Sequence, residues 1–214
     1  TNGPLAQKTV RHALSLLSTL YNYAIFDLDI IDKNPCEKIR IPKAALPQKK
    51  KELYDEKELV QMVLLLLQRN KRDYASKVHS TMIFLILFTG LRTGEAMGLT
   101  WDNVDYKSST VTIVAERVYI PTQGVVNDTT KTQTSNRVIT IPAFLLSMLM
   151  DLKTIQNQNK EVLQDNYKDS GYIASNTFGA AYHPRATYKW FKNFLRQNDL
   201  KDVSIHDLRH THAA

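Results

Sequence analysis

The sequence has a single cysteine, Cys36, and no apolar run long enough to cross a bilayer. One cysteine excludes an internal disulfide and a thiolate zinc cluster within one chain. The run "STMIFLILFTG" is broken at Thr89 and Gly90, well short of the roughly 20 residues that a spanning helix needs. No charged segment followed by an apolar one marks a secretory signal near the first residues. These absences predict a soluble, cytoplasmic protein.

Acidic residues are in the minority. Lys and Arg number 28 against 21 Asp and Glu, which gives a net charge of +7 and an isoelectric point near 9.4. Such a balance favours a polyanionic partner, and nucleic acid is the leading candidate. A basic protein without such a partner is the alternative that charge alone leaves open.

The first 46 residues and the remainder differ in pattern. Residues 5–28 place Leu14, Leu17 and Tyr21 at helical steps, which predicts an amphipathic helix that packs on another element. The stretch "DKNPCEKIRIPKAALPQKKKEL" then brings three prolines, a lysine run and little periodicity, as in an extended linker. We therefore predict a boundary near residue 47. Residues 1–46 are too few for a core of their own and would be the end of a helical domain, with a second domain over residues 47–214.

The second part of the chain has mixed patterning. Helical spacing occurs in six stretches, and enrichment in β-branched residues or bounding turn residues indicates short strands. The predicted helices lie within residues 54–70, 75–88, 91–99, 142–163 and 184–200, and from residue 205 onward; the predicted strands lie within residues 109–120, 129–132, 136–142 and 171–175. The expected fold class is α+β, mainly α with a small antiparallel β-sheet.

The stretch "FTGLRTGEAMGL" contains the first candidate for phosphate chemistry. Gly90 can end the preceding helix in a left-handed conformation, and the next helix would begin around Arg92. Arg92 and Glu95 are three residues apart and would share one helical face, so the carboxylate could hold the guanidinium beside a phosphate. An ordinary surface ion pair has the same spacing.

The stretch "IHDLRHTHAA" repeats this spacing with His206 and Arg209. A histidine donor and a bidentate guanidinium that are neighbours on one helical face could together bind the oxygens of a phosphate group. His206 and His210 are one helical turn apart and, with His212, could also be metal ligands. No cysteine pair and no obvious acidic third ligand lies nearby, which argues against a metal site.

The stretch "TTKTQTSNRVITIP" places Lys131 before a predicted strand, in a hairpin-like context. A lysine on a tight hairpin can reach into a groove of nucleic acid. A solvated turn lysine is the simpler interpretation of the same residues.

In this order, "TGLRTGE", "TKTQTSNRVITI" and "HDLRH" resemble the catalytic domain of tyrosine recombinases, the phage integrase family. The resemblance runs from about residue 50 to the end. The segment "ALSLLSTLYNYAIFDLDIIDKNPCEKIRIPK" resembles the last helices of the family's core-binding domain. The linker and the long hairpin between Val111 and Ile141 resemble integrases of prophages and conjugative transposons more than cell-division resolvases.

The resemblance implies a reaction and assigns residues to it. A tyrosine attacks a DNA phosphodiester, leaving a 3′-phosphotyrosyl link and a free 5′-hydroxyl, without a metal or other cofactor. Arg92 and Arg209 match the two arginines that stabilise the phosphate, Lys131 the general acid and His206 the histidine of the second box. Glu95 matches the acidic residue that orients the first arginine, and His210 a frequent neighbour of the second. Family members act on double-stranded DNA attachment sites as homotetramers.

The chain departs from the family pattern at its end. In the family the nucleophilic tyrosine follows the second box at a distance, and none of the ten tyrosines occupies that place. We expect the full protein to be a recombinase and this chain, which also lacks an initial Met, to be a fragment that cannot cleave DNA alone.

Basic residues outside the motifs are candidates for DNA backbone contacts. A solvated charged helix face explains the helical ones equally well. A non-catalytic DNA-binding protein derived from an integrase is the alternative function, and a metal-dependent hydrolase is a third. The candidates are Lys49, Lys50 and Lys51 in the linker and Arg185, Lys189, Lys192 and Arg196 on the predicted helix that follows Pro184.

Overall fold

The computed structural model describes residues 5–41, 54–129 and 136–212. The chain divides into two compact units, Thr1–Lys51 and Glu52–Ala214. The boundary predicted near residue 47 lies outside the described residues. No helix among the described residues is long and apolar enough to cross a membrane.

The first unit contains helix α1, Gln7–Phe26, and the segment that follows it. The Asn34 side chain fastens this segment to the helix by donating to Ser18 O at 3.1 Å, Ser18 Oγ at 2.9 Å and Asn22 Oδ1 at 2.7 Å. Helix α1 forms as predicted, yet none of its residues is buried, and Leu17 is 47% exposed.

In the second unit, helices α2 and α3 begin at aspartate caps. Helix α2, Glu56–Asn70, starts with a capping box in which Asp55 accepts from Glu58 N at 2.8 Å and Glu58 accepts from Asp55 N at 2.9 Å. Helix α3, Tyr74–Thr89, is capped by Asp73 and ends at Gly90. Gly90 has a left-handed φ of 66°, which glycine adopts without strain because it has no β-carbon. Twelve of the residues of α3 are buried, so α3 is the central helix.

Four further helices follow in the second unit. They are α4, Thr93–Gly98, α5, Ala143–Leu163, α6, Ala186–Gln197, and α7, Ile205–His212. All four contact α3, as does α2. The core that these helices enclose includes Phe84, Phe191 and Phe194, which are at most 2% exposed.

A buried polar contact joins α3 to α6. His79, which is 5% exposed, places Nδ1 3.0 Å from Thr187 Oγ1, and Thr187 Oγ1 donates to Met97 Sδ at 3.1 Å. Burial lowers the pKa of His79 to about 4, so this histidine is neutral in the folded protein.

The strands form two antiparallel sheets, where the sequence predicted one. The strands are β1, Val104–Asp105, β2, Thr110–Ile113, β3, Ala115–Ile120, β4, Gly124–Thr129, and β5, Arg137–Thr140. The order β1-β2-β5 makes a three-stranded sheet, with Val111 of β2 opposite Val104 of β1 and Ile139 of β5. Strands β3 and β4 form a separate hairpin, closed by the pair Ile120 and Gly124.

One strand was missed and one strand prediction was wrong. The stretch Gly124–Thr129 is a strand that the sequence did not predict. Of the strand predicted at residues 129–132, only Thr129 lies within the described residues. Residues 171–175 form only single bridges, Tyr172 with Thr100 and Ser175 with Ala181. The expected fold class, mainly α with small antiparallel sheets, is confirmed.

Candidate active site

The Glu95 carboxylate holds two arginines. Arg92 precedes α4 in extended conformation as its N-cap residue, so the helix begins at Thr93, next to Arg92 as expected. Arg92 donates from its backbone N–H to Glu95 Oε2 at 2.8 Å and from Nη1 to Oε1 at 2.9 Å. Arg137, the first residue of β5, donates from Nη1 to Oε1 at 3.0 Å and from Nη2 to Oε2 at 2.8 Å. A buried carboxylate thus connects the start of a helix to a strand.

These three side chains carry more positive than negative charge. Burial acts to raise the pKa of Glu95, but hydrogen bonds from Arg137 and Arg92 outweigh it and hold that pKa below its ordinary value. The hydrogen bond to Glu95 also raises the pKa of Arg137. The Glu95 side chain is 1% exposed and that of Arg92 is 59% exposed. The charge that Glu95 does not neutralise is therefore accessible on Arg92.

Arg137 is the member of this cluster that sequence reasoning missed. Strand alternation could have found it, because Arg137, Ile139 and Ile141 fall on one face and the two isoleucines are apolar. An arginine on the face that carries core residues needs a buried carboxylate partner. Glu95 is such a carboxylate, but the three-residue spacing in the sequence pairs it with Arg92 alone.

Two glycines let α4 lie against strand β3. A β-carbon at Gly98 would come within 3.2 Å of the backbone atoms Ala115 O and Arg117 N. One at Gly94 would lie 3.3 Å from Glu116 Cβ and 3.3 Å from Glu116 Oε2. The "TGEAMG" sequence therefore brings the helix that carries Glu95 within van der Waals contact of the hairpin backbone.

Helix α7 presents His206 and Arg209. The helix begins with Ser204 and Asp207, whose carboxylate accepts from Ser204 N and from Ser204 Oγ, both at 2.7 Å. This cap places His206, an exposed residue, in the first turn and Arg209 one turn later. Arg209 Nη1 is buried and has no hydrogen-bond partner among the described residues. Such a donor is rare in folded proteins and usually has a functional reason.

The two arginine-bearing helices meet the same end of α3. Helix α3 ends at Thr89, three residues before Arg92. Thr211, two residues after Arg209, lines a groove together with Leu87 and Phe88 in the last turn of α3. Helices α4 and α7 both contact α3. The motifs that contain Arg92 and Arg209 are thus on elements that converge at the C-terminal turn of α3.

The basic residues of α6 have different surroundings. Arg185 and Lys189 are exposed, and the Arg185 guanidinium lies 5.6 Å from the ring of Tyr119, which in turn contacts His183 at 5.0 Å. Lys192 is instead 20% exposed at its side chain, and it pairs with Asp202 and donates to Val203 O at 3.0 Å.

Arg196, the remaining basic candidate on α6, is exposed and donates to Asn193 Oδ1 at 2.8 Å. The candidates Lys49, Lys50, Lys51 and Lys131 lie outside the described residues, as do the side chains of His210 and His212. In the part of the chain that is described, no group of three or more His, Cys, Asp or Glu side chains is placed to hold a metal ion.

Comparison with known proteins decides the family. Residues 55–214 match the model of the phage integrase family. The chain belongs to this family. The resemblance predicted from "TGLRTGE" and "HDLRH" is confirmed, and the match covers the described part of the second unit from residue 55 onward.

Relatives of similar sequence are recombinases and integrases of bacteria. A "Tyrosine recombinase XerC-like" protein of Caldanaerobacter subterraneus is 27% identical over 97% of this chain and 55% of its own length. The "ICEBs1 integrase" of Bacillus subtilis is 28% identical over 98% of this chain and 54% of its own length. The chain thus spans about half the length of these two relatives.

Solved structures share the fold. The integrase of transposon Tn1549, in complex with a circular intermediate DNA, superimposes with a TM-score of 0.76 at 19% identity, over 97% of this chain and 66% of that one. Lambda integrase bound to DNA gives a TM-score of 0.53 at 16% identity, over 97% of this chain and 64% of that one. At these identities the likeness concerns the fold.

Proposed function

We propose that the protein containing this chain is a site-specific tyrosine recombinase that integrates or excises a mobile element at double-stranded DNA attachment sites. The observation that carries the proposal is the pair of arginines, one held by Glu95 and the other with a buried donor that has no acceptor among the described residues. A phosphodiester oxygen would be an acceptor for Arg209 Nη1. Family membership and the names of the relatives support the same reaction.

Each matched residue has a role in the proposed reaction. A tyrosine oxygen attacks phosphorus, the bond to the 5′ oxygen breaks, and Lys131 gives that oxygen a proton while the tyrosine proton passes to surrounding basic groups. Negative charge grows on the two equatorial oxygens, where Arg92 and Arg209 stabilise it more than they stabilise the ground state. His206 is a further donor to the phosphate. No metal or other cofactor is needed in this scheme.

The nucleophilic tyrosine is proposed to lie outside these 214 residues. Tyr119 contacts His183 on the hairpin side, and Tyr188 lies on α6, before the second box. Neither occupies the position that the family uses. We accordingly propose that this chain alone does not cleave DNA, although it binds it.

DNA contacts are proposed for both parts of the chain. Arg185 and Lys189 are exposed, and Arg185 lies beside the ring of Tyr119, an arrangement that suits phosphates and adjacent sugar or base faces. Residues 1–46 are proposed to be the end of a core-binding domain, with the linker lysines Lys49, Lys50 and Lys51 on the DNA backbone. The full protein would act in the cytoplasm, where its DNA is, as a homotetramer on two duplexes.

The decisive experiment detects the covalent intermediate. Full-length protein is mixed with nicked duplexes that carry the sequences at both ends of the encoding element. We expect a protein–DNA adduct that survives denaturant, is destroyed by protease, persists with chelator and is absent with Arg92→Ala or Arg209→Ala protein. Tight binding without an adduct on nicked duplexes would favour a non-catalytic DNA-binding protein, and an adduct lost with chelator would favour a metal-dependent enzyme.

A further inference from the structure

We propose that Arg137 is a positioning residue for Arg92 and that it acts through Glu95. The proposal rests on the proposed recombinase function and adds a residue to it. Arg137 itself need not touch DNA. Its task is to occupy the half of the Glu95 carboxylate that would otherwise draw Arg92 away from the phosphate.

The carboxylate of Glu95 is fully used. Oε1 accepts from Arg92 Nη1 and Arg137 Nη1, and Oε2 accepts from the Arg92 backbone N–H and Arg137 Nη2. An ionised carboxylate offers about four lone-pair sites, and these four bonds fill them. With Arg137 in place, Glu95 accepts from only one guanidinium nitrogen of Arg92, and the other guanidinium nitrogens of Arg92 do not bond to Glu95.

Removal of Arg137 changes what the buried carboxylate requires. Glu95 is 1% exposed, so water does not readily replace the two lost hydrogen bonds. The nearest remaining donors are on the Arg92 guanidinium, which already contacts Oε1. We expect the Arg92 guanidinium to rotate and form a bidentate ion pair with Glu95. The cluster then has one cation for one anion, and the charge available to a phosphate is lost.

The location of Arg137 makes this contact rigid. Arg137 begins β5 and is paired with Ile113 at the end of β2, so its backbone is fixed in the three-stranded sheet. Its side chain is 36% exposed, and the strand face it shares with Ile139 turns towards the core. The sheet thus supports the start of α4 through the Glu95 carboxylate.

The test compares Arg137 variants of the full-length protein in single-turnover cleavage of nicked duplexes with the element's end sequences. Arg137→Met should cleave about 100-fold more slowly, as expected when a group that stabilises the transition state is misplaced. Arg137→Lys, which keeps the charge but not the two-pronged geometry, should lie between. Glu95→Gln combined with Arg137→Met should recover part of the rate, because a neutral amide no longer captures Arg92.

A second substrate separates positioning from general damage. In a duplex whose scissile group is a methylphosphonate, one anionic oxygen is replaced by a methyl group, so less charge must be stabilised. The Arg137→Met loss should be smaller on this substrate than on the natural phosphodiester. A loss of the same size on both substrates would overturn the proposal in favour of a structural defect.

Arg117→Met is the matched control. Arg117 also lies on a strand, but it donates to Tyr182 O at 2.9 Å and stacks on Tyr172 at 4.5 Å, without contact to Glu95. It should show neither the rate loss nor the substrate dependence. A crystal structure of Arg137→Met should show two Arg92 nitrogens on Glu95; an unchanged Arg92 would overturn the proposal. Absence of an adduct with unaltered protein would instead reject the recombinase function.

Discussion

His79 and Thr187 make a buried hydrogen bond of 3.0 Å that joins the central helix to α6. Burial lowers the pKa of His79 from 6.5 to about 4, so the imidazole in this contact is neutral near neutral pH. Between these two values the unfolded chain binds a proton that the folded chain does not. The free energy of unfolding therefore falls as the pH drops from about 6.5 towards 4.

Acid sensitivity is the first prediction. From pH 7.5 to pH 5 we expect His79 to account for a loss of about 2 kcal/mol in the free energy of unfolding. Urea denaturation at the two pH values measures it. His79→Phe removes the titrating group, so its loss over the same interval should be smaller by about that amount. An equal loss in both proteins would show that His79 is not the group responsible.

Substitution of Arg209 should separate stability from activity. Its buried Nη1 lacks an acceptor among the described residues, and an unsatisfied buried donor costs about 1–3 kcal/mol. We expect Arg209→Met to unfold at the same or a slightly higher urea concentration than the unaltered protein. The same variant should form no detectable covalent adduct. A strong loss of stability would mean that Arg209 has a structural role.

The two glycines of α4 should differ in how well they tolerate replacement by alanine, with Gly94 the more tolerant position. Gly98→Ala forces a methyl group against backbone atoms of β3 at 3.2 Å, and we expect a loss of about 1–3 kcal/mol. Gly94→Ala meets Glu116 Cβ and Oε2 at 3.3 Å and the backbone atom Arg117 O at 3.4 Å, and alanine favours the helix, so a smaller change, within about 1 kcal/mol, is expected. Thermal unfolding of both variants decides the matter; equal effects would argue against close packing at Gly98.

DNA binding should depend on Arg185 and Lys189 but not on Lys192. For Arg185→Ala and Lys189→Ala we expect weaker binding to duplexes of any sequence and a salt dependence reduced by about one ion each. Lys192→Ala removes a side chain that pairs with Asp202 and donates to Val203 O. It should leave the salt dependence unchanged. Titrations at several salt concentrations give the slopes, and a changed slope for Lys192→Ala would place it on the DNA.

Much of the fold was predictable because its signals are local. The helices have clear apolar periodicity, and Gly90 marks the end of α3 as expected. Strand β4 was missed because "GVVNDT" begins with glycine and ends with turn-forming residues, and its strand character comes from pairing with β3. Residues 171–175 were wrongly predicted as a strand since an apolar stretch bounded by glycine has the same composition as a buried loop.

The candidate site was only partly predictable for a related reason. The spacing of Arg92 and Glu95 is a sequence feature, and the structure shows that the two side chains do meet. Arg137 is 42 residues from Glu95, and no local rule connects them. The orphan donor of Arg209 depends on what surrounds α7, which a single sequence does not report.

The shared carboxylate has a consequence for how the site responds to acidity. Because hydrogen bonds from two guanidinium groups lower the pKa of Glu95, this carboxylate remains ionised throughout the neutral pH range. The contact that orients Arg92 therefore does not change with pH near neutrality. A transition in the pH–rate profile near neutrality should originate in a group other than Glu95, such as the attacking oxygen, the leaving oxygen or the general acid that protonates it.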